Sequence, residues 1–210
     1  MVVLTQRAPI QVPKQKRSRE TYENLLSAAG NVLREEGFES LTTNTIVERA
    51  GLTPPAFYRY FVDKFDILTV LGKRLMDVQN TVVEDILDAS DEPENFATTV
   101  AQLEDILRLT LKCTEDFVGG PWVMRSLRAV PSLQNIRTDS HIKMANAICD
   151  GYLKFHPKAK RSEIYHQARL SIEIGYAALE LIFDEPNIDR DCIIQNTAIA
   201  IDAFYLTPPL

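Results

Sequence analysis

The chain has 210 residues, 45% apolar and 25% charged, with only 8 glycines and 11 prolines. This is enough apolar material for a buried core and too little Gly and Pro for a collagen-like or low-complexity chain. No run approaches the ~18 consecutive apolar residues of a membrane span, so no membrane partner is expected. The net charge of -6 is uneven. Residues 1–19 hold Arg7, Lys14, Lys16, Arg17 and Arg19 and no acid, whereas residues 71–210 hold 14 basic and 21 acidic residues. A basic arm before an acidic body suggests that only the N-terminal end meets a polyanion, although a solubilising tail has the same composition. After Val2, Val3 and Leu4, residues Gln6, Arg7, Pro9 and Pro13 come too soon for a secretory signal, so a cytoplasmic location is expected. Cys113, Cys149 and Cys192 are far apart and odd in number, which reads as reduced, mostly buried thiols.

Helical patterning recurs from end to end, and sustained period-two alternation is missing. Ser18 is the expected cap of a first helix, with Glu20 in its first turn. Tyr22, Leu25, Leu26, Ala29, Val32 and Leu33 form its apolar stripe, and Gly37 stops it. A short second helix is expected over 43–50 and ends at Gly51, with Leu52 placed to meet Val47. Thr53 caps a third, brief helix that closes near Phe61, with Pro54 and Pro55 in its first turn. A long fourth helix is expected over 64–87 with Ile67, Leu68, Leu71, Leu75, Val78, Val82 and Ile86 in its stripe. Gly72 inside it eases a hinge or admits a neighbouring side chain. Residues 90–93 break the chain. Helices then follow over 94–117, 122–130, 132–155, 162–184 and 189–206, the breaks falling at Gly119-Gly120-Pro121, Pro131, Pro157 and Asp184–Asp189. The count is about nine helices in an all-α fold.

The segment over 41–61 carries the most chemistry. A short helix, a tight turn on Gly51 and a second short helix form the pattern of a helix-turn-helix, whose second helix enters the major groove. Thr42 and Thr43 lie at a helix N-terminus, where hydroxyl and N–H groups suit phosphate. Tyr58, Arg59 and Tyr60 lie on the candidate recognition helix, Lys64 starts the next one, and Arg17 and Arg19 stand ahead of the first. Phenol, hydroxyl and cationic donors of this kind make backbone contacts to DNA. Packing roles compete at several of these positions. Tyr58 also suits the core of a small domain, Thr53 suits a cap, and Arg59 serves a phosphate as well as a base.

The run Leu41-Thr42-Thr43-Asn44-Thr45-Ile46-Val47-Glu48-Arg49-Ala50-Gly51-Leu52-Thr53, followed by Phe57-Tyr58-Arg59-Tyr60-Phe61-Val62-Asp63-Lys64, resembles the N-terminal domain of the tetracycline-repressor (TetR) family. Ala28-Ala29 and Glu36-Gly37-Phe38 in the first helix fit the same pattern. The resemblance covers about residues 18–70. It implies a homodimeric one-component transcription regulator, generally a repressor. Its flexible basic arm is 1–17, its three-helix DNA-binding domain 18–64, and its helical effector-binding and dimerisation domain 65–210. The expected partners are double-stranded, roughly palindromic operator DNA, a second copy of the chain and a small, mainly apolar effector. By position, Thr42, Thr43, Tyr58, Tyr60 and Lys64 match phosphate-contacting residues, and Pro54, Pro55, Ala56 and Arg59 match positions that reach base edges. Two departures stand out. Val47 replaces a small alanine, and Pro54, Pro55 and Ala56 replace polar or glycine residues, leaving thymine-methyl contacts and Arg59 to read sequence.

The body offers a pocket and an interface but no reaction chemistry. Between Ile164 and Phe183, 14 of 20 residues are apolar or glycine, so this helix and the last one are expected to form the dimer face. The candidates there are Ile164, Ala168, Ile172, Gly175, Leu179, Ile182, Ile194, Ala198 and Ile201. Candidates for an effector pocket are Phe117, Trp122, Met124, His141, Met144, Tyr152 and Tyr176. His141 with Arg125, Arg128 or Arg137 suits an anionic or hydroxylated ligand. His141, His156 and His166 lack the spacing of a helical metal site, and no nucleophile elbow or phosphate loop occurs, so neither catalysis, metal nor cofactor is expected. The competing function is a DNA-binding adaptor governed by a protein partner with no small ligand.

Overall fold

The computed structural model describes residues 12–88 and 99–206. Arg7, the break over 90–93 and the expected helix start at 94 lie outside these residues. Among the described residues the regular structure is helical: α1 (Lys16–Glu36), α2 (Thr43–Arg49), α3 (Pro54–Tyr58), α4 (Lys64–Asp88), α5 (Val100–Asp116), α6 (Gly120–Ala129), a 3₁₀ turn (Pro131–Leu133), α7 (Gln134–Phe155), α8 (Arg161–Asp184) and α9 (Arg190–Leu206).

Helix α1 begins earlier than its expected cap. Gln15 takes the cap position with no side-chain bond, and Ser18 lies inside the helix. Lys16 and Arg17 are good helix formers and extend the first turn without a cap. The expected apolar stripe is buried, with Tyr22, Leu25, Ala29, Val32 and Leu33 fully enclosed. Helix α2 starts with a reciprocal capping box. Thr42 Oγ1 accepts from the Thr45 N–H at 3.2 Å, and Thr45 Oγ1 accepts from the Thr42 N–H at 2.9 Å. It ends on Gly51 at φ 64°, where the Leu52 N–H reaches back to the Val47 carbonyl at 2.8 Å.

Helix α3 is shorter than expected and ends at Tyr58. Thr53 has the backbone of a cap but makes no side-chain capping bond. The prolines explain this. Pro54 and Pro55 carry no N–H, and the Ala56 N–H is already given to the Thr53 carbonyl at 2.9 Å, so no donor remains for the hydroxyl. Tyr22 stacks on Phe61 at 5.1 Å, and Phe57 meets Phe61 at 5.5 Å, forming the aromatic floor beneath α3. Asp63 then opens α4 by accepting from the Phe65 N–H at 2.8 Å.

Helix α4 is common to head and body. Arg74 grips Glu23 of α1 through two bonds of 2.6 and 2.7 Å. A Cβ placed on Gly72 would stand 2.6 Å from Leu127 Cδ2, so this glycine admits the α6 side chain. Val78, expected in the buried stripe, is 42% exposed. In the body, α7 packs on α4 and α8, and α5 packs on α4 and α9. Helices α8 and α9 lie side by side, joined where Gln167 Nε2 donates to the Phe204 carbonyl at 2.8 Å.

Candidate nucleic-acid interface and internal cavity

The head displays its polar groups outward. Phe57 and Phe61 point down into the core at 0% and 1% exposure, and helical spacing turns the residues between them away from it. Tyr58 is 60% exposed, and Arg59 is exposed beside it with its guanidinium 5.8 Å from the Tyr60 ring. Tyr60 is half-buried against Tyr22, at 5.8 Å between ring centres. Thr42, Thr53, Pro54 and Pro55 are exposed, Thr43 and Ala56 half-exposed, and Arg17 and Arg19 exposed on the first turns of α1. Lys64 is half-buried, its Nζ held 4.5 Å from the centre of the Phe38 ring. This contact orients the ammonium group without neutralising it.

Two cross-links hold α2 in place. Arg49 bridges Glu35 at 2.5 Å and Glu36 at 2.7 Å, and Asn24 Nδ2 donates to the Ala50 carbonyl at 2.9 Å. Thr45 Oγ1 lies 2.7 Å from the Ser40 carbonyl and gives it its proton. With the Thr45 proton so engaged, Thr42 Oγ1 is the donor in the 3.0 Å contact between the two hydroxyls, while its lone pair caps the helix.

The body encloses a cavity of about 90 Å³ between α4, α5, α7, α8 and α9. Of the seven expected pocket residues, His141, Met144 and Tyr176 line it. The other four do not. Trp122 lies against Gly37 and under the Arg125 guanidinium, at the junction of head and body. Met124 is core, Phe117 packs on the main core at the end of α5, and Tyr152 stacks on His156 at 4.3 Å. The arginines expected to serve a ligand are also placed elsewhere. Arg125 binds the Phe183 carbonyl and Asp184, Arg128 binds Glu180, and Arg137 reaches Glu173; none of the three lines the cavity.

The expected dimer residues are corrected as well. Ile164, Ala168, Leu179, Ile182, Ile194, Ala198 and Ile201 are at most 3% exposed within one chain, so they are core rather than a face for a partner. Ile172, Gly175, Leu179 and Ile201 line the cavity. Among the described residues the exposed apolar groups of α8 and α9 are Leu170 and Ile199, each 50% exposed, with Ala177, Ala200, Ala203 and the Cys192 thiol, one of the three expected to be mostly buried.

Two polar residues absent from the expected set organise the cavity. Gln79 accepts from the Tyr176 hydroxyl at 2.8 Å and donates to Thr114 Oγ1 at 2.7 Å. A glutamine inside the buried stripe of α4 was the signal in the sequence. Glu173 stands behind the wall, 3.0 Å from His141 Nδ1, 2.9 Å from Arg137 and 3.0 Å from Arg169. Burial alone would raise its carboxyl, but hydrogen bonds and charges from His141, Arg137 and Arg169 hold it at about 2. Burial lowers the His141 imidazole below its usual value against the pull of Glu173. Burial also pushes the Tyr176 phenol well above its ordinary range, so it remains a donor.

Comparison with known proteins agrees with this organisation. Residues 25–71 match the model of the bacterial regulatory proteins, tetR family. A fatty acid metabolism regulator protein of Bacillus subtilis strain 168 is 30% identical over 88 residues, which covers 41% of this chain and 45% of that protein. The match thus spans less than half of that relative's length. The structure of the fatty acid degradation regulator FadR from Bacillus halodurans superposes with a TM-score of 0.66 at 14% identity, covering 87% of this chain and 94% of that one. A tetR-family transcriptional regulator from Streptomyces coelicolor superposes with a TM-score of 0.67 at 16% identity, covering 89% and 81%. These two likenesses concern the fold. The family match lies on the helix-turn-helix, so residues 25–71 have the pattern of a tetR-family DNA-binding head, and the all-helical fold is shared with both regulators.

Proposed function

We propose that the chain is a one-component repressor that binds a roughly palindromic operator as a homodimer and releases it when a small, mainly apolar molecule enters the body cavity. The observation that carries this reading is the outward display of Tyr58 and Arg59 over the buried Phe57–Phe61 floor. In this reading residues 18–64 form the DNA-binding unit, preceded by a basic arm at 1–17, and 65–210 form the effector and dimer unit. Thr42, Thr43, Tyr58, Tyr60, Lys64, Arg17 and Arg19 contact phosphates. Arg59 reads a guanine, and Pro54, Pro55 and Ala56 lie against thymine methyls, with Thr53 beside them. Leu170 and Ile199 pack against a second copy, which supplies the second head for the other half-site.

An apolar cavity walled in part by α4, which also holds the head, favours a small effector over control by a protein partner alone. The similarity to fatty acid regulators favours a lipid-like one.

The test is selection of binding sites from random duplex DNA with the purified chain, followed by affinity measurements on the selected site. The expected result is an inverted repeat bound at least tenfold more weakly by Arg59→Ala and several-fold more weakly by Tyr58→Phe. Failure to enrich any sequence, or full affinity retained by both variants, overturns the reading.

A further inference from the structure

His141 is 1% exposed, and its two ring nitrogens face different surroundings. Nδ1 lies 3.0 Å from Glu173 Oε1, and Glu173 is bracketed by Arg137 and Arg169. A carboxylate held by two guanidinium groups is ionised and only accepts hydrogen bonds, so Nδ1 carries the proton. Nε2 is buried and has no hydrogen-bond partner among the described residues. Glu173, Arg137 and Arg169 do not line the cavity, and His141 does. The imidazole is therefore the part of this network that meets the empty space. A second ring proton is opposed by burial and by the positive charges of Arg137 and Arg169. Nε2 thus keeps an unused lone pair on a residue that lines the cavity, and a buried acceptor left unmade is costly.

The remaining wall decides the ligand's charge. Among the described residues that line the cavity there is no lysine or arginine. Tyr176 has given its proton to Gln79, and Ser171 Oγ lies 2.8 Å from the Gln167 carbonyl. A carboxylate would lose its hydration here with no cation to replace it, and it would face the Nε2 lone pair.

We propose that the cavity takes a neutral, mainly apolar ligand that carries a hydrogen-bond donor, of the chemical class of an aliphatic alcohol, and that His141 Nε2 accepts that hydrogen bond. Glu173 is the positioning residue that fixes the tautomer. The cavity of about 90 Å³ is smaller than the ~150 Å³ that admits benzene elsewhere, so a ligand of more than a few heavy atoms widens it. The inference deepens the reading of the chain as an effector-controlled regulator and names the chemistry of that effector. Its test uses the full chain without DNA, so its failure leaves operator binding untouched.

Three probes separate the possibilities: hexan-1-ol, its isomer 1-methoxypentane, which accepts but does not donate, and hexanoate. Binding is followed by calorimetry and by ¹⁵N NMR of the imidazole. Expected are saturable binding of hexan-1-ol at least tenfold tighter than of the other two, a proton on Nδ1 with a bare Nε2 in the free protein, and a shift of the Nε2 resonance as the alcohol binds. His141→Phe is expected to erase the preference for alcohol over ether. Glu173→Gln is expected to weaken it and to mix the tautomers. Equal binding of the three probes, a preference for hexanoate, or no saturable binding at all overturns the proposal. So does a proton found on Nε2, which the wild-type spectrum reports even if a variant fails to fold.

Discussion

Glu173 stands 3.0 Å from His141 Nδ1 and 3.9 Å from the Arg128 guanidinium, so one carboxylate joins the cavity wall on α7 to helix α6. Helix α6 in turn meets the head twice. Trp122 lies against Gly37 at the end of α1, and Leu127 fills the notch at Gly72 of α4. In the proposed release mechanism, widening the cavity between α7 and α8 would act through α6 on the head and bias it between two positions.

The same pair sets the acid sensitivity of the fold. The Glu173 carboxyl is held at about 2, below its ordinary 4.5, so its contribution is complete above about pH 4.5 and is lost as pH falls toward 2. The His141 imidazole is held below its ordinary 6.5, so the unfolded chain takes up a proton there before the folded one does. Stability is lost through this group as well when pH falls below about 6.5. Both effects have one sign, and urea unfolding is expected to show stability declining steadily from pH 7 to pH 4. Glu173→Gln is expected to flatten the profile below pH 5, and His141→Phe to flatten it between pH 7 and 5. A profile that rises on acidification contradicts the assignment.

Gly72 gives a stability test of the head–body joint. Gly72→Ala places a methyl group 2.6 Å from Leu127 Cδ2 in a packed helix crossing. Overpacking of this kind costs about 1–3 kcal/mol, even though alanine favours a helix more than glycine does. Leu127→Ala alone leaves a cavity and costs about 2–5 kcal/mol. In the double variant the new methyl occupies part of the vacated space, so the two losses are expected to sum to more than the combined loss. Additive costs in denaturant titrations would mean that the two residues do not meet.

Head and body differ in how much of them can be read from the sequence. The turn at Gly51, the paired prolines of α3 and the aromatic pair Phe57 and Phe61 are local signals, and the structure places each where its local chemistry puts it. Ser18 misled because two good helix formers ahead of it carry the helix past a residue that suits a cap. In the body, Ile172, Gly175, Leu179 and Ile201 are all apolar, and whether such a residue meets core, cavity or partner depends on how its helix is rotated against four others. The apolar content of α8 suggested a face for a second copy. In fact most of it is spent inside one chain, since α8 lies among α5, α6, α7 and α9. Glu173 was hidden for the opposite reason, because a charged residue on a helix usually faces water.

The exposed apolar groups left on α8 and α9 direct the dimer test to different residues. Leu170 and Ile199 are each 50% exposed, so a charge there is expected to leave the folded chain intact and, in the proposed dimer, to block the partner. Leu170→Glu with Ile199→Glu is expected to sediment as a folded monomer with unchanged circular dichroism and to lose most of its affinity for a two-half-site operator. Ile164→Glu places a charge at a position 1% exposed and is expected to unfold the body instead. A double variant that remains dimeric moves the interface elsewhere.

Lys64 separates a phosphate contact from a base contact. Its ammonium lies over the Phe38 ring at 4.5 Å, at the first residue of α4. In the proposed complex it is aimed at the backbone flanking the groove that takes α3. One neutralised phosphate contributes about 0.9 to the slope of log affinity against log salt. Lys64→Met keeps the apolar stem over the ring and removes the charge. It is expected to lower that slope by about one per head, weakening binding to the selected operator and to unrelated duplex by the same factor. Arg59→Ala is expected to act differently, flattening the preference at one base pair of each half-site by about 1–3 kcal/mol. If Lys64→Met changes sequence preference and leaves the salt slope as it was, the roles of these two cations in the proposed complex are reversed.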